Sequence, residues 1–272
     1  MTTLIDTHSH LNFNAYKEDA EEVIKRSLEN NTWMINIGSQ YETSKRAVEL
    51  AEKHNQGVYA SVGFHPIHLG KDFFKVKTDS EETNEEDKGF DSESYRELAK
   101  SSKVKAIGEI GLDYYYRPKS KTKTALFKEK QKEVFLKQLD LAEELNLPVV
   151  FHCRMAHEDL ITILKQRNNK GVIHCFTGNL DQAKEYIKMG FYIGFNGIIF
   201  KLDLNDIIKE IPLEKILIET DCPYLTPPEA KTERNEPAFV KYVVQRIADL
   251  KGIDYEKVAQ VTTENARSLF KI

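Results

Sequence analysis

Eight short apolar runs recur along the chain, each followed by a turn and an amphipathic stretch, and this rhythm admits few folds. The runs are residues 4–7, 33–38, 58–63, 106–110, 149–152, 172–175, 191–195 and 216–220. Several are continuously apolar, as strands of a parallel sheet are when helices cover their outer face. Helical periodicity fills the intervals at residues 18–30, 41–54, 127–145, 158–166, 180–189 and 237–250. Leu136, Leu139, Ala142 and Leu145 form one such apolar stripe. Residues 254–270 read as two short closing helices. The pattern predicts an α/β fold, a (β/α)8 TIM barrel in a single domain over 1–272. An open doubly wound sheet shares the alternation. The two differ in where polar residues fall, because a barrel brings the carboxyl ends of many strands to one mouth.

One segment breaks the rhythm. Residues 78–94 hold eight acids and one lysine, a local charge of −7 within a net charge of −4, which leaves +3 on the remainder. We read 71–94 as an acidic flexible insertion after the third strand, either a solvated loop or an arm over the mouth. No apolar run approaches the roughly 20 residues that span a bilayer, and the amino terminus lacks the pattern of a secretory signal. Three cysteines, Cys153, Cys175 and Cys222, are an odd number set far apart in apolar segments. They read as reduced core thiols of a cytoplasmic protein.

Chemistry gathers at strand ends. The first run leads into Asp6-Thr7-His8-Ser9-His10, whose histidines at i and i+2 project to one side of an extended chain. Glu109 lies in the end of the fourth apolar run, flanked by glycines, where a lone carboxylate is costly without a cation or a donor. His152, His174 and Asp221 close the fifth, sixth and eighth runs. Singly, each has an ordinary reading as a hydrogen-bonded core histidine or a turn aspartate. Together, four histidines and two carboxylates are what two adjacent divalent cations require. That donor set suits Zn, Mn, Co or Fe better than Mg, which prefers oxygen alone, although Mg is not excluded. Each cysteine directly follows or adjoins a candidate ligand, so in a strand its thiol points away.

Seven motifs occur in order: Asp6-Thr7-His8-x-His10-Leu11, Gly63-x-His65-Pro66, Gly108-Glu109-Ile110-Gly111-Leu112-Asp113, His152-x-Arg154, His174-x-Phe176-Thr177-Gly178, Glu219-Thr220-Asp221-x-Pro223-Tyr224-Leu225 and Arg234-Asn235-Glu236-Pro237. With Thr263-Glu264-Asn265-Ala266 near the end, the chain resembles the TatD family of metal-dependent deoxyribonucleases. The resemblance implies an amidohydrolase-like barrel holding two divalent cations. His8, His10 and Asp221 would bind one, His152 and His174 the other, and Glu109 would bridge them. It also implies hydrolysis of DNA, often as a 3′→5′ exonuclease. The chain departs from the family at Met155 and Asn12, where an acidic residue is frequent.

Metal-assisted phosphodiester hydrolysis would use Asp221 and Glu109 as catalytic residues, with Asp221 accepting the proton of the attacking water. His65 is a phosphate clamp or a turn residue, and Arg154 a second clamp. Tyr114, Tyr115, Tyr116, Arg117 and the lysines at 119, 121 and 123 read as a platform for single-stranded DNA or as a solvated basic loop. His68 and His157 read as surface residues. No membrane and no obligate protein partner are implied. Two other functions share these residues: an amidohydrolase or lactonase acting on a small molecule, and a non-catalytic metal-binding scaffold.

Overall fold

The computed structural model describes residues 2–74, 80, 82–83 and 89–272. Its strands are β1 (Leu4–Ser9), β2 (Thr32–Ile37), β3 (Val58–Val62), β4 (Val104–Asp113), β5 (Val149–Arg154), β6 (Gly171–Ile173), β7 (Tyr192–Phe195) and β8 (Ile216–Ile218). They pair in sequence order and in parallel. Beyond β8 the chain returns to β1 through a Ser9–Cys222 bridge. There Asp221 N donates to His8 O at 2.8 Å and His10 N to Cys222 O at 3.0 Å. The sheet is therefore a nearly closed barrel, and the open-sheet alternative falls.

Helices α1 (Ala20–Glu29), α2 (Tyr41–Glu52), α3 (Ser92–Leu98), α4 (Lys121–Glu144), α5 (His157–Leu164), α6 (Leu180–Lys188), α7 (Asn205–Glu210) and α8 (Val240–Lys251) cover the outside. A large apolar layer forms between them and the outward faces of the strands, including Val23, Ala47, Leu139, Leu160, Ile208 and Val243. A second cluster fills the barrel, with Ile5, Ile35, Ala106, Val150, Val172 and Leu217 pointing inward. Ala266, Leu269 and Phe270 of α9 (Tyr255–Phe270) complete that inner cluster. Asn265 Nδ2 donates to Leu213 O and Ile216 O at 2.9 and 2.8 Å, so α9 plugs the amino-terminal end. Only the carboxyl end is left open for chemistry.

Residues 254–270 do not split into two helices. No glycine or proline interrupts α9, and Thr262 Oγ1 donates to Val258 O at 2.8 Å, so the threonine pair is accommodated inside one helix. The helix α4 begins earlier than its apolar stripe suggests, with Ser120 as its N-cap, and draws Lys121 and Lys123 out of the expected loop into its first turn. Both edges of the 71–94 insertion are regular: a 3-10 turn runs over Pro66–Asp72, and Asp91 caps α3. Residues 75–79, 81 and 84–88 of that insertion lie outside the described residues.

Candidate metal centre

Strand length decides how each polar side chain reaches the mouth. In β1, His8 is fully buried and His10 lies one residue past the strand end. His10 Nδ1–H donates to Ile37 O at 2.9 Å, which fixes the tautomer and leaves Nε2 as the free lone pair. His8 Nε2 and His10 Nε2 are 3.1 Å apart. Asp221 Oδ1 stands 3.6 Å from the first and 3.4 Å from the second. Ligand atoms sharing a tetrahedral ion at about 2.1 Å are about 3.4 Å from one another, so these three donors fit a single cation. Because β8 stops at Ile218, Asp221 lies in a turn with φ of 59°.

Glu109 stands at the centre. Its Oε1 is 2.7 Å from His152 Nδ1, 2.8 Å from His174 Nε2 and 3.4 Å from His65 Nε2. Its Oε2 is 3.4 Å from His8 Nε2, so one carboxylate touches both halves of the cluster. The His8 and His174 rings stack at 3.8 Å. Close packing of β4 on β5 permits this arrangement, since a Cβ on Gly111 would lie 2.0 Å from His152 O. Among the described residues three groups of donors could each hold an ion: His8 with Glu109 and His174, His8 with His10 and Asp221, and His65 with Glu109 and His152. The donor chemistry, imidazole nitrogen with carboxylate oxygen in a buried cluster, suits divalent transition ions.

The charges are mutually adjusted. Burial pushes the Glu109 carboxyl up, but His174, His65 and His152 outweigh it and hold the group well below its usual range. Burial likewise lowers His152, yet Asp113 and Glu109 carry it up to about 9. Burial and the neighbouring His174 both lower His8. Asp221 is pushed up by burial and brought below its usual range by His10, His8 and His174.

Two carboxylates beside the cluster escaped the sequence reading. Asp113 Oδ2 lies 3.2 Å from His152 Nε2, and Glu219 Oε1 lies 3.4 Å from His174 Nδ1. Glu219 is fully buried and receives Cys175 N at 2.7 Å and Asn196 Nδ2 at 3.1 Å. For Asp113 a signal was available: it is four residues from Glu109, an even spacing that shares a face in extended chain. Asp6, also buried, accepts from Thr220 N at 2.8 Å and ties β1 to the chain beyond β8.

The other expected residues divide. A cavity of about 1060 Å³ lies over the cluster and takes in His65, Arg154 and Tyr115, whereas Arg117 is exposed and outside its lining. His65 serves its turn and the cavity at once, for Nδ1 accepts from Ile67 N at 3.1 Å while Nε2 faces Glu109. The Arg154 guanidinium lies 3.7 Å over the Tyr115 ring, and Tyr115 and Tyr116 are half exposed. Tyr114 is buried instead, its hydroxyl donating to Asp159 Oδ2 at 2.7 Å. His157 is not at the surface: it is buried with Nδ1 3.3 Å from Cys153 Sγ and 3.1 Å from the Tyr186 hydroxyl. His68 is likewise largely buried, 2.9 Å from Glu82. Cys153 and Cys222 are buried as expected, although Cys153 also borders the cavity, and Cys175, beyond the end of β6 with φ of 43°, joins the cavity wall as well. Strand alternation does not reach it.

Met155 and Asn12 have separate explanations. Met155 is exposed on the cavity rim, with φ of 56°. Asn12 is buried, and its Nδ2 donates to Ile37 O at 3.0 Å and Thr43 O at 2.9 Å. An amide fits there because a carboxylate would face two carbonyl oxygens. Asn12→Asp is expected to destabilise the metal-free chain by roughly 1–3 kcal/mol, measured by urea unfolding. Unaltered stability would show that the two bonds contribute nothing.

The TatD related DNase family model matches residues 5–271. A Bacillus subtilis protein named "Uncharacterized metal-dependent hydrolase YabD" is 42% identical over 276 residues, covering 99% of each chain. An Erwinia tasmaniensis protein named "3'-5' ssDNA/RNA exonuclease TatD" is 34% identical, with 99% of this chain and 100% of the relative aligned. The crystal structure of YJJV, a TatD homolog from Escherichia coli K12, superposes with a TM-score of 0.82 at 28% identity, covering 100% of this chain and 99% of the other. Fold, ordered motifs and full-length similarity agree: the chain belongs to the TatD family of metal-dependent hydrolases.

Proposed function

We propose that the chain is a two-cation phosphodiesterase that shortens single-stranded DNA, in the 3′→5′ direction. The observation that carries this reading is one buried carboxylate, that of Glu109, lying within 3.4 Å of four histidines beneath a cavity edged by Arg154 and Tyr115. His8, His10 and Asp221 would hold one ion, His152 and His174 the other, with Glu109 between them. Such a pair supplies Lewis acidity that brings the pKa of water toward neutrality and neutralises charge on a phosphate. Asp221 accepts the proton of the attacking water, being charged at neutral pH and committed to one side of the cluster. Asp113 and Glu219 orient His152 and His174 through their far ring nitrogens. Arg154 and His65 hold phosphate oxygens, Tyr115 stacks on a base, and Arg117 tracks the backbone outside the cavity. The name of the Erwinia relative supports the choice of nucleic acid and of direction.

Among the described residues no helix is long and apolar enough to cross a membrane. The three unpaired cysteines support a reducing, cytosolic setting.

A small-molecule reading draws on one observation: of the lysines and arginines, only Arg154 lines the cavity among the described residues. The deciding experiment strips the protein of metal and restores Mg, Mn, Co or Zn separately. Each form meets single-stranded oligonucleotides labelled at the 5′ or 3′ end, a lactone and a cyclic amide. Metal-dependent loss of 3′-terminal nucleotides is the expected result. Turnover of the lactone or amide with intact oligonucleotide would overturn the proposal.

A further inference from the structure

Part of the acidic insertion does not face solvent. Asn14 N donates to Glu82 O at 3.1 Å, Asn14 Nδ2 to Ser80 O at 3.4 Å, and Arg46 Nη2 to Thr83 Oγ1 at 2.7 Å. These bonds seat the segment against the loop after β1 and against α2, and Thr83 is buried. The Glu82 carboxylate then turns into the cavity, with only 13% of the side chain exposed. It accepts from the Ser39 hydroxyl, and the same oxygen is 2.9 Å from His68 Nε2. The His68 ring centroid is 6.4 Å from that of His65, whose Nε2 reaches Glu109. One wall of the cavity therefore runs from Glu109 through His65 to His68, Ser39 and Glu82.

The cavity is electrically lopsided as a result. Arg154 stands on the Tyr115 side and a fixed carboxylate on the Ser39 side. Burial pushes Glu82 up, but His68 and Ser39 outweigh it, so the group is charged at neutral pH. An ionised carboxylate only accepts hydrogen bonds, so it welcomes a hydroxyl and repels a phosphate.

We propose that Glu82 is a specificity-determining residue: it closes the Ser39–His68 side of the cavity to phosphate and accepts a sugar hydroxyl there. The chain thus selects a phosphodiester flanked on that side by a hydroxyl-bearing terminus, and rejects phosphate monoesters and phosphorylated ends. The inference rests on the phosphodiesterase reading of the same cavity. It assigns work to a residue in the segment that composition presents as a solvated acidic loop.

The test compares wild type, Glu82→Gln and Glu82→Asp in the Mn-loaded full chain. Inorganic phosphate binding is measured by calorimetry. Removing one nearby negative charge should tighten phosphate roughly tenfold in Glu82→Gln. Glu82→Asp keeps the charge and should restore the weak binding, which a purely structural role for the side chain would not produce. Equal phosphate affinity in wild type and Glu82→Gln would overturn the proposal. A second readout is the kcat/KM ratio for oligonucleotides ending in a hydroxyl over those ending in a phosphate, at each terminus in turn. It should fall roughly tenfold in Glu82→Gln, and an unchanged ratio at both termini would also overturn the proposal. Absence of oligonucleotide cleavage by wild type would overturn only the phosphodiesterase reading, with the phosphate affinities still deciding the role of Glu82.

Discussion

An Asp221→Asn chain is expected to keep its fold and most of its bound metal while kcat falls roughly 10²–10⁴-fold, the usual contribution of a positioned general base. The amide preserves the volume of the side chain and one oxygen, so Oδ1 can still face His10 and His8 at 3.4 and 3.6 Å. What it loses is the capacity to take a proton. The backbone around the site should not move, because Asp221 N donates to His8 O and Thr220 is held by Asp6. The two effects separate cleanly if bound metal is counted in the same sample that is assayed. Loss of turnover with metal retained supports Asp221 as the proton acceptor. Wild-type turnover with metal retained would remove it from that role. Loss of both would make it a ligand first, and the proton acceptor would have to be sought elsewhere in the cluster.

The barrel was legible because its signal is periodic and local. Eight apolar runs and their helices can be counted without knowing which touches which, and the six expected donors sit in the ends of runs or just beyond them. Contacts between distant strand ends carry no such local mark. Nothing near Glu219 in the chain points to His174, and their meeting depends on β6 and β8 both being three residues long. The even spacing of Asp113 from Glu109 could have been read, but β4 shifts register between Ile107 and Ile110, so spacing alone was a weak guide. Glu82 failed for the opposite reason. Composition describes an acidic stretch as a whole, while this one residue is held by Asn14, Ser39 and His68, none of them near it in sequence. The role of α9 as a plug was hidden too, since a helical pattern gives its buried face and not what that face covers.

Glu109→Gln should have the widest effect, because this one carboxylate contacts both halves of the cluster. Metal affinity should fall by more than the roughly 10–100-fold that loss of a ligand's outer partner costs, and turnover with it. The metal-free protein gives an independent reading. His152 is raised to about 9 by Asp113 and Glu109, although burial alone would lower it, and Glu109 raises His174 as well. A histidine whose folded pKa exceeds its unfolded value of about 6.5 contributes stability that is complete below that value. The contribution is lost as pH rises through the folded value. Metal-free wild type should therefore lose stability between about pH 6.5 and 9, by roughly a few kcal/mol at most for a coupled cluster of this kind. In Glu109→Gln the histidines lose their shared counter-charge, their pKa values drop toward the unfolded one, and the profile over that window should flatten. Urea unfolding of both proteins in chelator at several pH values measures this without any assay of activity. Parallel profiles would mean that Glu109 does not hold the imidazolium charges, and its place at the centre of the site would then rest on metal affinity alone.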